Sequence, residues 1–304
     1  MASRWTPAPL SGDRDRGATT RQDEPDLGFD LPALLEQRGH QVSRADVLSY
    51  RRCGNRVSAA FRLECAAGEV VKGRRTWTRG DARRITNIVA HLDSRRFQPV
   101  LAHRGSALLE QWVHGPCVRD LFVGEDLLVD GGRLLGSLHA VPAAPAAGDG
   151  AATLHGLTRR LAQRLTHLGE AFLRPHDAAA LLALARRTAP AAASAGFIHR
   201  DLCPENLVLR DAALCSVDNG LLTFGFHDLD LARTAYRWPL ERRAFDVLLY
   251  GYRPFRDPSA FLRHRAFWTI YALAGAAIRL IDRRDARGAP PLEVLRERLH
   301  EELE

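Results

Sequence analysis

Four polar side chains could carry chemistry in this sequence. The segment His199-Arg200-Asp201-Leu202-Cys203-Pro204-Glu205-Asn206 fits H-R-D-x-x-x-x-N, which puts a carboxylate and a carboxamide on one wall of a tight loop. Asp201 suits orienting an acceptor hydroxyl and taking its proton. Asn206 offers an oxygen to a metal ion bridging phosphates, and the pair together implies phosphoryl transfer. A second metal ligand should follow on the return strand of a hairpin. Residues 214–217 read as that strand and deliver Asp218, whose carboxylate would hold Mg²⁺ against phosphate oxygens. Asp228 competes for this role, because it too ends an apolar run. The twelve-residue interval from Asn206 to Asp218 fits a tight hairpin, whereas the twenty-two to Asp228 would need an extra excursion. The fourth side chain is Lys72, the one lysine beside 42 arginines. It lies on a strand after a turn, where a compact ammonium would meet the α- and β-phosphates.

The elements that must position these groups follow from periodicity. Residues 31–38 predict a short helix. Residues 46–52, 56–65 and 69–74 predict three strands, the first two flanking Cys53-Gly54-Asn55 and the last two separated by an Ala-Ala-Gly turn. Ile85, Ile88, Val89 and Leu92 share one face of a helix over 81–92. Strands at 99–102 and 107–113 complete a β-β-β-α-β-β unit. Backbone N–H groups near Gly54 and Ser58 could cradle phosphate, although one glycine makes an ordinary hairpin turn an equal reading. Residues 108–113, with Glu110 and Trp112, predict the connector whose backbone meets the adenine edge. After Gly115-Pro116 the chain turns helical, with helices expected at 127–141, 154–172, 177–188, 243–250, 258–282 and 291–303 and a flexible connector at 142–152. The expected organisation is therefore a leader (1–28), a small nucleotide-binding lobe (29–113) and a larger lobe with the catalytic loop and acceptor site (114–304). The fold class is α+β, with a cleft between the lobes.

These residues resemble the aminoglycoside phosphotransferase and choline kinase group of the protein kinase-like superfamily, in order over roughly residues 30–280. Beyond 199–206 and Asp218, the segment Asp230-Leu231-Ala232 is similar to the group's later D-L-A element, and Gly136-Ser137-Leu138-His139 to a helical segment of the group. The resemblance implies a two-lobed kinase fold. It also implies transfer of the γ-phosphoryl of ATP to a hydroxyl of a small metabolite, sugar or aminoglycoside-like acceptor, with Mg²⁺. It maps the catalytic base to Asp201, the metal ligands to Asn206 and Asp218, and the phosphate-binding lysine to Lys72, with His199 and Asp230 supporting the loop. Two departures stand out. Arg200 occupies a position where small-molecule kinases of the group often have glycine. No glutamate occurs between Glu69 and Glu110 to pair with the lysine from the following helix. Asp81 comes too early there, and Asn87 is nearer by position. A protein kinase is one alternative, with Asp246–Gly251 as a later element, but eleven residues between Asp218 and Asp230 leave no room for a long activation loop. A catalytically weak binding module of the same fold is the other.

Composition narrows the classes. The chain has 304 residues, 46% hydrophobic and 26% charged, which excludes a disordered or collagen-like chain. Five cysteines without C-x-x-C spacing indicate reduced thiols, not a disulfide framework or zinc ribbon. The polar first 28 residues lack the apolar core of a signal peptide, and the most apolar stretch, 267–278, is too short to span a bilayer. A cytoplasmic protein is expected, with no membrane partner. The net charge of +7 is spread over the chain, and no nucleic-acid-binding motif is present. The charge weakly disfavours a polycationic acceptor, although glutamates 293, 297, 301, 302 and 304 could line a pocket for one.

Overall fold

The computed structural model describes residues 30–53, 56–142, 154–238, 242–282 and 292–303. The leader, nearly all of the 142–152 connector and Gly54 lie outside them. The chain begins with α1 (Asp30–Gln37), then β1 (Val42–Cys53), β2 (Arg56–Cys65), β3 (Val70–Arg75), α2 (Arg79–Val89), β4 (Val100–Arg104) and β5 (Ala107–Gln111). The five strands form one antiparallel sheet in the order β1-β2-β3-β5-β4.

Alternation along β3 divides its two faces. Val71 packs under α1 with Leu31, Leu34, Phe61, Leu63 and Leu109. Gly73 lies on the same face because a side chain there would meet Leu63 and Leu31 within 3 Å. Lys72 and Arg74 therefore point to the opposite face. There α2, capped by the Thr78 hydroxyl accepting from Asp81 N–H at 3.0 Å, buries Ala82, Ile85, Ile88 and Val89. These α2 residues join the large core of the second lobe.

That lobe comprises α3 (Glu125–Ala140), α4 (Leu154–Ala171), α5 (Pro175–Thr188), β6 (Ala195–Ile198), β7 (Leu207–Arg210), β8 (Ala213–Ser216), β9 (Thr223–Phe226), α6 (His227–Arg237), α7 (Arg242–Tyr252), α8 (Ser259–Arg263), α9 (Arg265–Ile281) and α10 (Leu292–Glu301). β7 and β8 make a hairpin whose two turn residues, Asp211 and Ala212, both take positive φ, the mirror-image turn that matches strand twist. β6 pairs with β9. Two expectations change. The helix expected over 258–282 divides at His264, whose φ of −111° and ψ of 19° leave the helical region. Residues 227–237 form a helix, α6, which the sequence reading did not assign because its buried positions are largely polar: His227, Asp228, Asp230, Thr234 and Arg237.

Candidate active site

The catalytic loop is tied down from below. Asp230 is fully buried and accepts from the backbone N–H of His199 and of Arg200, each at 2.7 Å. Arg200 has a φ of +67°, which explains why glycine suits this position; the two bonds to Asp230 hold an arginine there in spite of the steric cost. His139, from α3, donates Nε2–H to Asp230 at 3.2 Å and accepts from Tyr252 Oη at 2.9 Å. His199 accepts from Asp201 N–H at Nδ1, so its Nε2–H donates to Ser216 Oγ at 2.7 Å. Ser216 passes the chain to Asn219 Oδ1 at 2.8 Å, and Asn219 donates to the Gln98 carbonyl at 3.3 Å. The structure thus brings His199 and Asp230, both expected from the sequence as loop supports, together beneath the loop.

Asp201 is held from both sides. Asn206 Nδ2 donates to its Oδ2 at 3.1 Å and to its carbonyl at 2.9 Å, while Arg237 Nε donates to Oδ1 at 2.9 Å. Arg237 also reaches Cys203 Sγ at 3.1 Å. The sequence reading missed Arg237; its signal was the seven-residue spacing from Asp230, two turns along one helix face. Asn206 reaches the hairpin too: its carbonyl accepts from Val217 N–H at 2.9 Å, one residue before Asp218. Asp218 stays half exposed, accepting from Arg74 Nη1 at 2.7 Å and Gly220 N–H at 3.3 Å. Desolvation would raise its carboxyl, but Arg74 and then Lys72 hold it well below the ordinary carboxylate range. The competing Asp228 lies buried in the first turn of α6, among His264, Trp268 and Arg256, whereas Asn206 is bonded to Val217, the residue before Asp218.

Lys72 is buried beneath the same hairpin, donating to Gln98 Oε1 at 3.2 Å and to the Val217 carbonyl. Burial lowers its pKa most, Arg74 lowers it further, and Glu110 and Asp218 oppose. Its missing carboxylate partner comes from the sheet: Glu110 sits opposite Lys72 in the β3–β5 register, 3.9 Å from the ammonium and 3.0 Å from Arg74 Nε. Asp81 pairs with Arg84. This corrects the expectation for Glu110. It is fully buried, and β5 lies between β3 and β4, so its backbone belongs to the sheet and not to an adenine edge. Gln111 is taken as well, its N–H by the Pro99 carbonyl and its carbonyl by Gln98 Nε2 at 2.7 Å. The connector therefore begins at Trp112, whose half-buried ring lies 5.5 Å from the Arg62 guanidinium. Ser58 is also corrected. It pairs with Arg51 inside the β1–β2 ladder, which runs to Cys53 and Arg56, so it belongs to a strand and not to a phosphate loop.

Residues 70–267 match the phosphotransferase enzyme family, well over half the chain. The chain belongs to that family. Solved structures agree on the fold. The macrolide 2′-phosphotransferase MphH of Brachybacterium faecium is similar with a TM-score of 0.57 at 17% identity, over 88% of this chain and 97% of that one. A thermostable mutant of aminoglycoside phosphotransferase APH(4)-Ia, in a ternary complex with ADP and hygromycin B, gives 0.62 at 14%, over 90% and 97%. Choline kinase of Cryptosporidium parvum Iowa II gives 0.56 at 12%, over 86% and 89%. No curated protein matches the sequence. The phosphotransferase has the two-lobed protein kinase-like fold expected from its motifs. The segment between Asp218 and Asp230 is filled by a turn, β9 and the start of α6. Among the described residues no helix is long and apolar enough to cross a membrane, and Cys65, Cys117, Cys203 and Cys215 are free thiols.

Proposed function

We propose that this phosphotransferase moves the γ-phosphoryl of ATP to a hydroxyl of a small molecule with Mg²⁺ present, using Asp201 as base. The observation that carries the reading is the clamped Asp201 carboxylate, fixed by Asn206 and Arg237 and still a quarter exposed (26%). Asp201 orients the acceptor O–H and takes its proton; the acceptor oxygen bonds to the γ-phosphorus as the bond to the departing ADP oxygen breaks. A divalent ion suits the donor set. Asn206 uses Nδ2 for both of its side-chain hydrogen bonds, leaving Oδ1, and Asp218 presents a half-exposed carboxylate. Two such oxygens match a hard cation that keeps water and phosphate as its other ligands. Magnesium bound there supplies charge neutralisation on the phosphates. Lys72, held against Glu110, supplies a positive charge from the sheet side, and Arg74 must release Asp218 as the metal–nucleotide complex enters.

The test is ADP release from ATP over a panel of hydroxylated acceptors. Asp201→Asn is expected to lower kcat by about 10²–10⁴-fold, the usual scale for a general base, with nucleotide affinity retained. Equal turnover in variant and wild type rules out this assignment of the base.

A further inference from the structure

α6 lays three polar residues beside the catalytic loop. Asp230, Arg233 and Arg237 fall at i, i+3 and i+7, on one helix face. Asp230 holds the Arg200 N–H and Arg237 holds the Asp201 carboxylate, and Arg233, one turn from each, lies on the helix face that carries both. Its Nε is buried and meets no acceptor. α9 adds Arg279, which donates to Tyr236 Oη at 3.4 Å. Arg200 keeps part of its surface in solvent while its guanidinium is largely desolvated. Desolvation, then the like charge of Arg233, with lesser pushes from Arg279 and Arg84, lower its pKa, and only Asp230 opposes. Asp230 offers little to the guanidiniums, since its oxygens already take two backbone N–H groups and His139. Among the described residues no ion pair includes Arg200, Arg233 or Arg279, whereas Arg84 has Asp81 and Arg237 has Asp201. The acidic C-terminal helix does not redress the balance. α10 buries Leu295 and Leu299, His300 bonds to Asp177 on α5, and Glu302 neighbours Arg265 and Arg242.

Guanidinium groups gathered without carboxylates match an oxyanion, whose planar or tetrahedral oxygens accept their paired N–H donors. We propose that Arg200, Arg233 and Arg279 form an anion subsite next to Asp201, and that the acceptor is a small hydroxyl compound bearing a phosphate or carboxylate group. This rests on the reading of Asp201 as the base at the acceptor end. The anion anchors the molecule on the arginines while a hydroxyl elsewhere on it meets Asp201. A polycation is repelled by the same groups.

The experiment compares a neutral hexose, its 6-phosphate, the matching hexuronate and the matching amino-hexose. Binding is measured by calorimetry with ADP saturating the nucleotide cleft, and turnover by ADP release from ATP. At least one anionic sugar is expected to bind tenfold or more tightly than the neutral hexose, with the advantage shrinking as salt rises. Arg233→Gln and Arg279→Gln are each expected to reduce it to the neutral level while ADP affinity is unchanged; two variants guard against one that fails to fold. The hexose phosphate and the hexuronate distinguish the two anion classes. Equal binding of neutral and anionic sugars, tighter binding of the amino-hexose, or an anion preference surviving in both variants overturns the subsite. Turnover without anion preference overturns the subsite and leaves the kinase reading intact. Anion binding without turnover of any sugar supports the subsite and counts against Asp201 as base.

Discussion

Glu110 shows how one side chain replaces another from a different element. The cation that a helix-borne glutamate would hold is held across the sheet, and the same carboxylate also reaches Arg74. Removing it leaves the buried Lys72 without that carboxylate and Arg74 with Asp218 alone. Glu110→Gln is expected to destabilise the protein by about 3–5 kcal/mol, the cost of an uncompensated buried charge, read by urea denaturation. A change below about 1 kcal/mol contradicts the assigned pairing. Nothing local in the sequence marks Glu110 as that partner, because the pairing depends on register between strands separated by α2 and β4.

α6 carries the loop's support and an unusual pair of buried titratable groups. Burial raises Asp228 from its ordinary value of 3.8 to about 6. A carboxyl with a raised folded-state pKa contributes stability that is fully present below about pH 4 and lost as pH rises through about 6. Asp228→Asn keeps the neutral form at every pH. It is expected to exceed wild type by about 2–3 kcal/mol at pH 8, with the difference closing by pH 4, measured by denaturation at pH 4, 6 and 8. A constant difference across that range argues against the shift. His227, stacked on His139 at 4.3 Å and lowered mainly by burial to about 3, acts in the opposite sense: its contribution is present above about pH 6.5 and is lost as pH falls from there toward 3.

Across the whole molecule, a run of buried hydrogen bonds joins the lobes. It passes from Lys72 and the Gln111 carbonyl through Gln98, Asn219, Ser216 and His199 to Asp201. Ligand at the cleft therefore touches groups anchored in both lobes and should stabilise them as a unit. ADP with Mg²⁺ at a hundredfold over its Kd is expected to add about 2.7 kcal/mol, read as a rise in Tm. In Asp218→Asn the Mg²⁺-dependent part of that rise should disappear while the metal-free part remains. A variant that keeps the full Mg²⁺ increment shows that the ion is held elsewhere.

The sequence by itself determined the motif loop, the β-β-β-α-β-β succession of elements in the first lobe and the helical character of the second. All of these rest on short-range spacing, where residue type and interval fix the geometry. Tertiary structure alone decided what surrounds that loop: Arg237 on Asp201, Glu110 on Lys72, Arg74 on Asp218, and the unbalanced arginines beside them. Each joins groups 30 or more residues apart in the chain, brought together by sheet register and helix packing. α6 escaped the sequence reading for the same reason. Helix periodicity is read from apolar residues, and this helix buries polar ones whose partners lie on other elements.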